Sequence, residues 1–331
     1  MNTKVNNDFY SYFITMFRKY GIKIYMQLLS DNNYDDRTII LAGLPRSGTT
    51  WIADLINYKH EHRYIFEPFN PVRWNFFCNS LKCGQYIKPS HEDDILQEKF
   101  ASIILGKVKD LSIDYKNLSY KKFWFKSRLI KTVCANLYLK YLKVNFPQIQ
   151  VILLFRHPCA SFHSREAIGM WPKIDFSKKI DFFSEELLND FPMLFQKGCE
   201  LGEIKTRFER YLFSWCIKYW IPLQQFKRGE IHLAFYENFC TIPEQEIKSL
   251  FQFLQEPYDD RVFIQLKKPS SSARPTSAIV TQENLIESWK KNISDHQLER
   301  AFEILNLFGL DKIYSKNTTM PNVDNAYNFL K

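Results

Sequence analysis

Apolar residues along this chain gather in two kinds of run. Thr38–Ala42 (TIILA), Val151–Phe155 (VILLF) and Ile231–Phe235 (IHLAF) are short and continuous. Runs of this length without polar alternation predict strands buried on both faces. Arg128–Thr132 (RLIKT) and Tyr64–Glu67 predict two weaker strands. Between them, apolar positions recur at helical spacing over 92–107 after Ser90, over 134–145 up to Pro147, and over 200–227, 243–255 and 294–308, with Gly309 as the stop of the last. Strands alternating with helices predict βαβ units and a parallel sheet covered on both faces.

No internal repeat or low-complexity tract divides the 331 residues. The reading is therefore a single domain over 1–331. A helical extension occupies 1–36, the core runs over 38–314, and helical embellishments fill 70–127 and 166–200. Segment 9–29 is rich in Phe, Tyr, Ile and Met, but Arg18, Lys19 and Lys23 interrupt it. That is too short an apolar run to span a membrane. It predicts an amphipathic helix packed on the body, with a membrane-surface or homodimer role as the alternative.

The net charge of +9 favours anionic partners. The lysines and arginines are dispersed among acids and no nucleic-acid-binding motif appears, which argues against nucleic acid. Seven cysteines lie without a CxxC pair. This spacing predicts neither a disulfide framework nor a metal cluster, and fits a cytoplasmic setting.

Candidate chemistry begins directly after the first buried strand. Gly43-Leu44-Pro45-Arg46-Ser47-Gly48-Thr49-Thr50-Trp51 links that strand to a helix. Glycines at this spacing let backbone N–H groups and a helix N-terminus converge on an anion. Thr49 stands where a nucleotide-hydrolysing loop carries lysine, and the cation has moved to Arg46. A second strand–turn–helix stretch, VILLFRHPCASFHSR, places Arg156 at a strand end and Ser164 on the following helix. Two such groups can meet at the carboxyl edge of a parallel sheet and hold one anion. A helix cap and a surface salt bridge would use the same residues.

LPRSGTTW resembles the 5′-phosphosulfate-binding loop of the sulfotransferases that use 3′-phosphoadenosine 5′-phosphosulfate (PAPS), in the arginine form typical of their carbohydrate and tyrosylprotein branches. Arg156 and Ser164 resemble that family's 3′-phosphate site, with His157 where Arg-Asp-Pro is usual. HLAFYENF is similar to the strand whose tyrosine, here Tyr236, lies near adenine, and Trp51 matches an adenine-contacting position. SSSARPTS followed by ESWKKNIS looks like the segment that closes over the 3′-phosphate, with Ser272 and Arg274 as its ligands. The resemblance runs from about 38 to 314. It implies an α/β fold with a P-loop NTPase-like central parallel sheet flanked by helices in three layers, PAPS as co-substrate, and no metal.

The implied enzyme moves a sulfuryl group onto a hydroxyl or amine of a carbohydrate or small-molecule acceptor. In this reading Arg46 stabilises the leaving phosphate, and Ser47, Gly48, Thr49 and Thr50 supply loop contacts. Glu67, in RYIFEPFNP, matches the position of the base in the carbohydrate and tyrosylprotein branches. A glutamate that only caps or salt-bridges a loop would look the same. His91 is the second candidate base, and Lys131 stands at the end of its strand within reach of sulfate or acceptor. A P-loop kinase or hydrolase, and a non-catalytic anion-binding module, are the competing classes.

Overall fold

Five parallel strands form the central sheet in the computed structural model, which describes residues 20–32, 34, 38–77, 80–169, 183–270, 273, 280 and 284–331. They are β1 Thr38–Gly43, β2 His62–Phe66, β3 Ser127–Thr132, β4 Gln150–Phe155 and β5 Ile231–Phe235. Their spatial order is β2-β3-β1-β4-β5. The principal helices are α1 Thr49–Ile56, α2 Asp94–Ile104, α3 Leu139–Asn145, α4 Pro158–Glu166, α5 Arg207–Gln225, α6 Tyr236–Thr241, α7 Pro243–Leu254 and α8 Asp295–Leu307.

The strands bury both faces, which is why their sequences run apolar without alternation. Ile39, Leu41, Ile152 and Leu154 pack with α1, α6 and α7 on one side. Ile40, Ala42, Val151 and Leu153 pack with α2, α3, α5 and α8 on the other. Helix–sheet–helix layering follows. The expected helix over 200–227 is two helices. Met193–Leu201 stops at Gly202, whose φ of 71° suits glycine, and α5 starts afresh from a capping box of Thr206 with Glu209.

Strand order fixes where a ligand can sit. The chain leaves β1 toward β2 at one edge and leaves β4 toward β5 at the other, yet β1 and β4 are neighbours. Their outgoing loops diverge and open a crevice at the carboxyl ends of the strands.

The opposite, amino-terminal edge is tied by buried charge. Arg63 on β2 lies beside Arg128 on β3. Arg63 donates to both oxygens of Asp114 at 2.8 Å and to Asp31 at 3.1 Å, while Arg128 donates to Asp31 at 2.8 Å and Thr38 Oγ1 at 3.0 Å. These bonds fasten the segments carrying Asp31 and Asp114 to the sheet.

The cysteine spacing led to an expectation that the structure corrects. Cys83 and Cys134 form a disulfide across 51 residues, joining the loop before α2 to the end of β3. No local motif announces a pair so far apart in sequence.

Removing one member of a buried charge cluster strands the others. Asp114→Ala should lower unfolding free energy in urea by about 3–5 kcal/mol, and a loss below about 1 kcal/mol would show the cluster to be energetically idle.

Candidate active site

The loop between β1 and α1 turns tightly because two glycines allow it. A Cβ on Gly43 would stand 2.8 Å from both Ser47 Oγ and Thr49 Cγ2, and 3.0 Å from the Leu154 carbonyl on β4. Gly48 has φ of 97°, and a Cβ there would stand 2.6 Å from the Tyr236 ring. Arg46 adopts φ of 71° without being glycine, a conformation that costs about 1–3 kcal/mol. Ser47 turns its side chain inward, and its N–H closes the turn on the Leu44 carbonyl at 3.1 Å.

The two sequence motifs meet here. Arg46 Nε donates to Ser164 Oγ at 3.1 Å, and Arg156 Nη1 donates to the Arg46 carbonyl at 2.9 Å. The Arg156 guanidinium lies 4.1 Å from the centre of the Tyr236 ring, and its buried Nε has no hydrogen-bond partner among the described residues. A buried cationic donor left unmatched is suited to an incoming anion. Trp51 anchors the far side of Tyr236, with ring centroids 5.4 Å apart and its indole N–H on the Leu266 carbonyl at 3.1 Å.

A cavity of about 730 Å³ opens over this cluster. Arg46, Gly48, Thr49, Thr50, Trp51, Arg156, Ser164 and Tyr236 line one part, and Phe66, Glu67 and Lys131 another. Glu67 follows β2 with φ of 53°, so it too holds a backbone conformation unfavourable to a side chain. One of its carboxylate oxygens contacts Lys131 Nζ, and the other accepts the Val133 N–H at 2.9 Å. Lys131 Nζ also lies 4.9 Å from the centre of the Phe66 ring.

His91 is not among the cavity-lining residues. It faces Glu186 at 3.7 Å and the edge of Tyr141. Ser272 and Arg274 lie outside the described residues. Several lining residues were not singled out in the sequence. His163 is one, and the helical repeat Ala160, His163–Ser164, Ala167 would have found it as one face of α4. Asn70, Arg73 and Arg165 are others. Their polar neighbourhoods carry no recognisable pattern.

His157 is buried behind the anion cluster. Its backbone N–H donates to Glu237 Oε1 at 2.8 Å, and its ring stacks on Trp289 at 4.5 Å. Burial, then the charges of Lys290 and Arg156, pushes this imidazole down to about 3. The position thus carries a neutral ring. Burial alone pushes His232 on β5 down to about 4.

The chain matches the family model described as a sulfotransferase domain over residues 36–306. No curated protein matches it. Solved structures similar to it include the sulfotransferase domain of the Synechococcus PCC 7002 olefin synthase, at 12% identity over 85% of this chain and 94% of that one, with a TM-score of 0.43. A mouse sulfotransferase complexed with PAP shares 15% identity over 89% and 87%, with a TM-score of 0.42. The sulfotransferase domain from the curacin biosynthetic pathway shares 14% over 81% and 95%, with a TM-score of 0.41.

Two of the buried histidines, His157 and His232, make stability depend on pH. Each is neutral in the fold but titrates near 6.5 when unfolded, so its contribution is full above pH 6.5 and is lost as pH falls toward about 3 for His157 or about 4 for His232. Urea titrations should show this decline at up to about 1.4 kcal/mol per pH unit for each group. His157→Asn should lessen the slope between pH 6 and pH 4 by up to about 1.4 kcal/mol per pH unit; an unchanged slope would mean that His157 is not held neutral.

Proposed function

The chain belongs to the PAPS-dependent sulfotransferase family, and from that premise we propose that its cavity carries the sulfuryl group of PAPS to a hydroxyl or amine of a carbohydrate or small-molecule acceptor, with Glu67 as the base. One observation carries the proposal. Arg46, Arg156 and Ser164, from motifs more than a hundred residues apart, are joined by direct hydrogen bonds in one cavity that also contains Glu67.

Arg156 and Ser164 would hold the 3′-phosphate, the unmatched Arg156 Nε supplying a further donor. The loop over Arg46 to Thr50 and the start of α1 would hold the 5′-phosphosulfate, where helix N–H groups favour an anion. Tyr236 and Trp51 offer rings for adenine. Ser272 and Arg274 remain sequence-based candidates for the closing segment. PAPS supplies an activated sulfuryl group. The acceptor oxygen or nitrogen forms its bond to sulfur as the bond from sulfur to the bridging phosphate oxygen breaks, and PAP departs with that oxygen.

The chain has two tasks during this exchange. Arg46 offers a guanidinium to the charge that grows on the leaving phosphate. Glu67 accepts the acceptor proton at the carboxylate oxygen now occupied by Lys131, so Lys131 must first turn toward the sulfuryl oxygens. The Val133 N–H keeps the other oxygen fixed and the carboxylate aimed. No helix among the described residues is long and apolar enough to cross a membrane. The cytoplasmic setting expected from the cysteine spacing is not part of this proposal, since a bond such as Cys83–Cys134 is rare in a reducing compartment.

Two substitutions separate binding from chemistry. In EDTA, PAP should raise the melting temperature of the wild type, as a ligand of the native state must. Arg156→Ala should remove most of that shift. Glu67→Gln should keep it while lowering kcat roughly 10²-fold in a screen of PAPS with mixed acceptors, and His91→Ala should leave both unchanged. Stabilisation by ATP with Mg²⁺ but not by PAP would replace the transferase reading with the nucleotide-hydrolase one.

A further inference from the structure

The helical residues 20–28 have two faces. On one, Tyr25 packs with Leu29 and Phe125, and its hydroxyl donates to the carbonyls of Asn117 at 2.8 Å and Lys122 at 2.9 Å. On the other, Tyr20, Ile24 and Leu28 are 59%, 55% and 53% exposed. Residues four apart on an α-helix lie about 40° apart around its axis, so these side chains form one narrow ridge. The ridge runs on beyond the helix. The Tyr25 ring is 5.4 Å from that of Phe123, and Ser30–Asp31 pairs in parallel with Trp124–Phe125. Phe123 and Trp124 are 49% and 64% exposed. Large apolar side chains grouped in this way in water mark an interaction surface.

Lysines border the ridge. Lys23 stands on the helix flank away from Tyr25, and Lys109 reaches the same flank with its Nζ on the Gln27 carbonyl at 3.3 Å. Lys121 and Lys122 directly precede Phe123, Lys122 with its Nζ on the His60 carbonyl at 3.1 Å. Among the described residues, the acids nearest in sequence to these lysines are Asp110 and Glu61, and Glu61 already faces Lys126 at 3.8 Å. Asp31 is buried under Arg63 and Arg128.

We propose that this ridge docks on an anionic lipid bilayer. Tyr20, Ile24, Leu28, Phe123 and Trp124 enter the boundary between headgroups and acyl chains, and the lysines meet the headgroup phosphates. Tyr and Trp suit that depth because each has an apolar body and a polar tip. A second copy of the chain fits the ridge less well. A stable interface takes roughly 800 Å² from each partner, more than five half-exposed side chains on a ridge supply. In a two-fold pairing the flanking lysines would also face one another. The ridge lies by the amino-terminal edge of the sheet, where Asp31 meets Arg63 and Arg128, whereas the cavity opens at the carboxyl edge. A bilayer on the ridge therefore leaves the cavity open to solution. The inference does not depend on the sulfuryl-transfer reading.

The test is co-sedimentation of the full chain with vesicles of phosphatidylcholine alone or mixed with phosphatidylserine. The wild type should sediment with the mixed vesicles, weakly with the neutral ones, and less as salt is raised. Ile24→Ser with Leu28→Ser should lower partition roughly ten-fold or more. Lys23→Gln and Lys121→Gln should each lower it roughly five-fold. The urea midpoint of unfolding serves as the folding control and should be closely similar in all variants. Equal partition of wild type and the Ile24→Ser/Leu28→Ser variant would overturn the proposal, and so would sedimentation with neither vesicle. A dimer dissolved by Leu28→Glu, without vesicle binding, would reassign the ridge to a second copy.

Discussion

The bond from the Arg156 guanidinium to the carbonyl of Arg46 joins the two halves of the cavity, and the rest of the site depends on it. It requires β1 and β4 to be neighbours while their chains depart in opposite directions, which the order β2-β3-β1-β4-β5 provides. It also requires the Arg46 loop to lie close to the end of β4. Gly43 permits that approach, since a side chain there would meet the Leu154 carbonyl. Tyr236 then closes the arrangement from β5, with its ring against Gly48, Trp51 and Arg156. Among the described residues Arg156 is held by the Arg46 carbonyl and the Tyr236 ring and by no carboxylate ion pair, so an anion could bind it without first breaking one.

Glu67 is placed under a different constraint. Like Arg46 it has positive φ, and both face the same cavity. Of the five described non-glycine residues with positive φ, these two line the cavity, while His60, Lys121 and Gln255 do not; such strain persists where the surrounding fold can bear the cost. The contact with Lys131 gives the carboxylate a resting partner. That contact also sets a condition on the proposed chemistry, because proton transfer to Glu67 needs Lys131 to find another anion. A sulfuryl group arriving beside Arg46 is such an anion. In this account, donor entry and release of the base are one event.

Strand sequences made most of the architecture legible. β1, β4 and β5 are continuous apolar runs, and burial on both faces is the reason. β3 reads weakly because Arg128 and Lys131 interrupt it, yet the whole strand is buried, with those charges matched by Asp31 and Glu67. β2 begins at His62, ahead of the expected Tyr64, for the same reason: Arg63 looks like a surface residue until Asp114 is brought against it. Strand order, the Cys83–Cys134 pairing and the cavity wall at Asn70 and Arg73 come from tertiary packing that no local pattern encodes. The Arg46 loop and the Arg156–Ser164 pair stood out in the sequence as strand–turn–helix motifs, and the structure brings them together. That His91 does not line the cavity was not legible, because a histidine before a helix looks alike whichever way that helix faces.

The central claim is that one bound nucleotide spans the two motifs. A crystal structure of the complex with PAP tests it directly. The account predicts the 3′-phosphate on Arg156 and Ser164, the 5′-phosphate against the loop from Arg46 to Thr50, and Glu67 across the vacant sulfuryl position. A nucleotide bound elsewhere, or one whose 3′-phosphate lies away from Arg156 and Ser164, would contradict it.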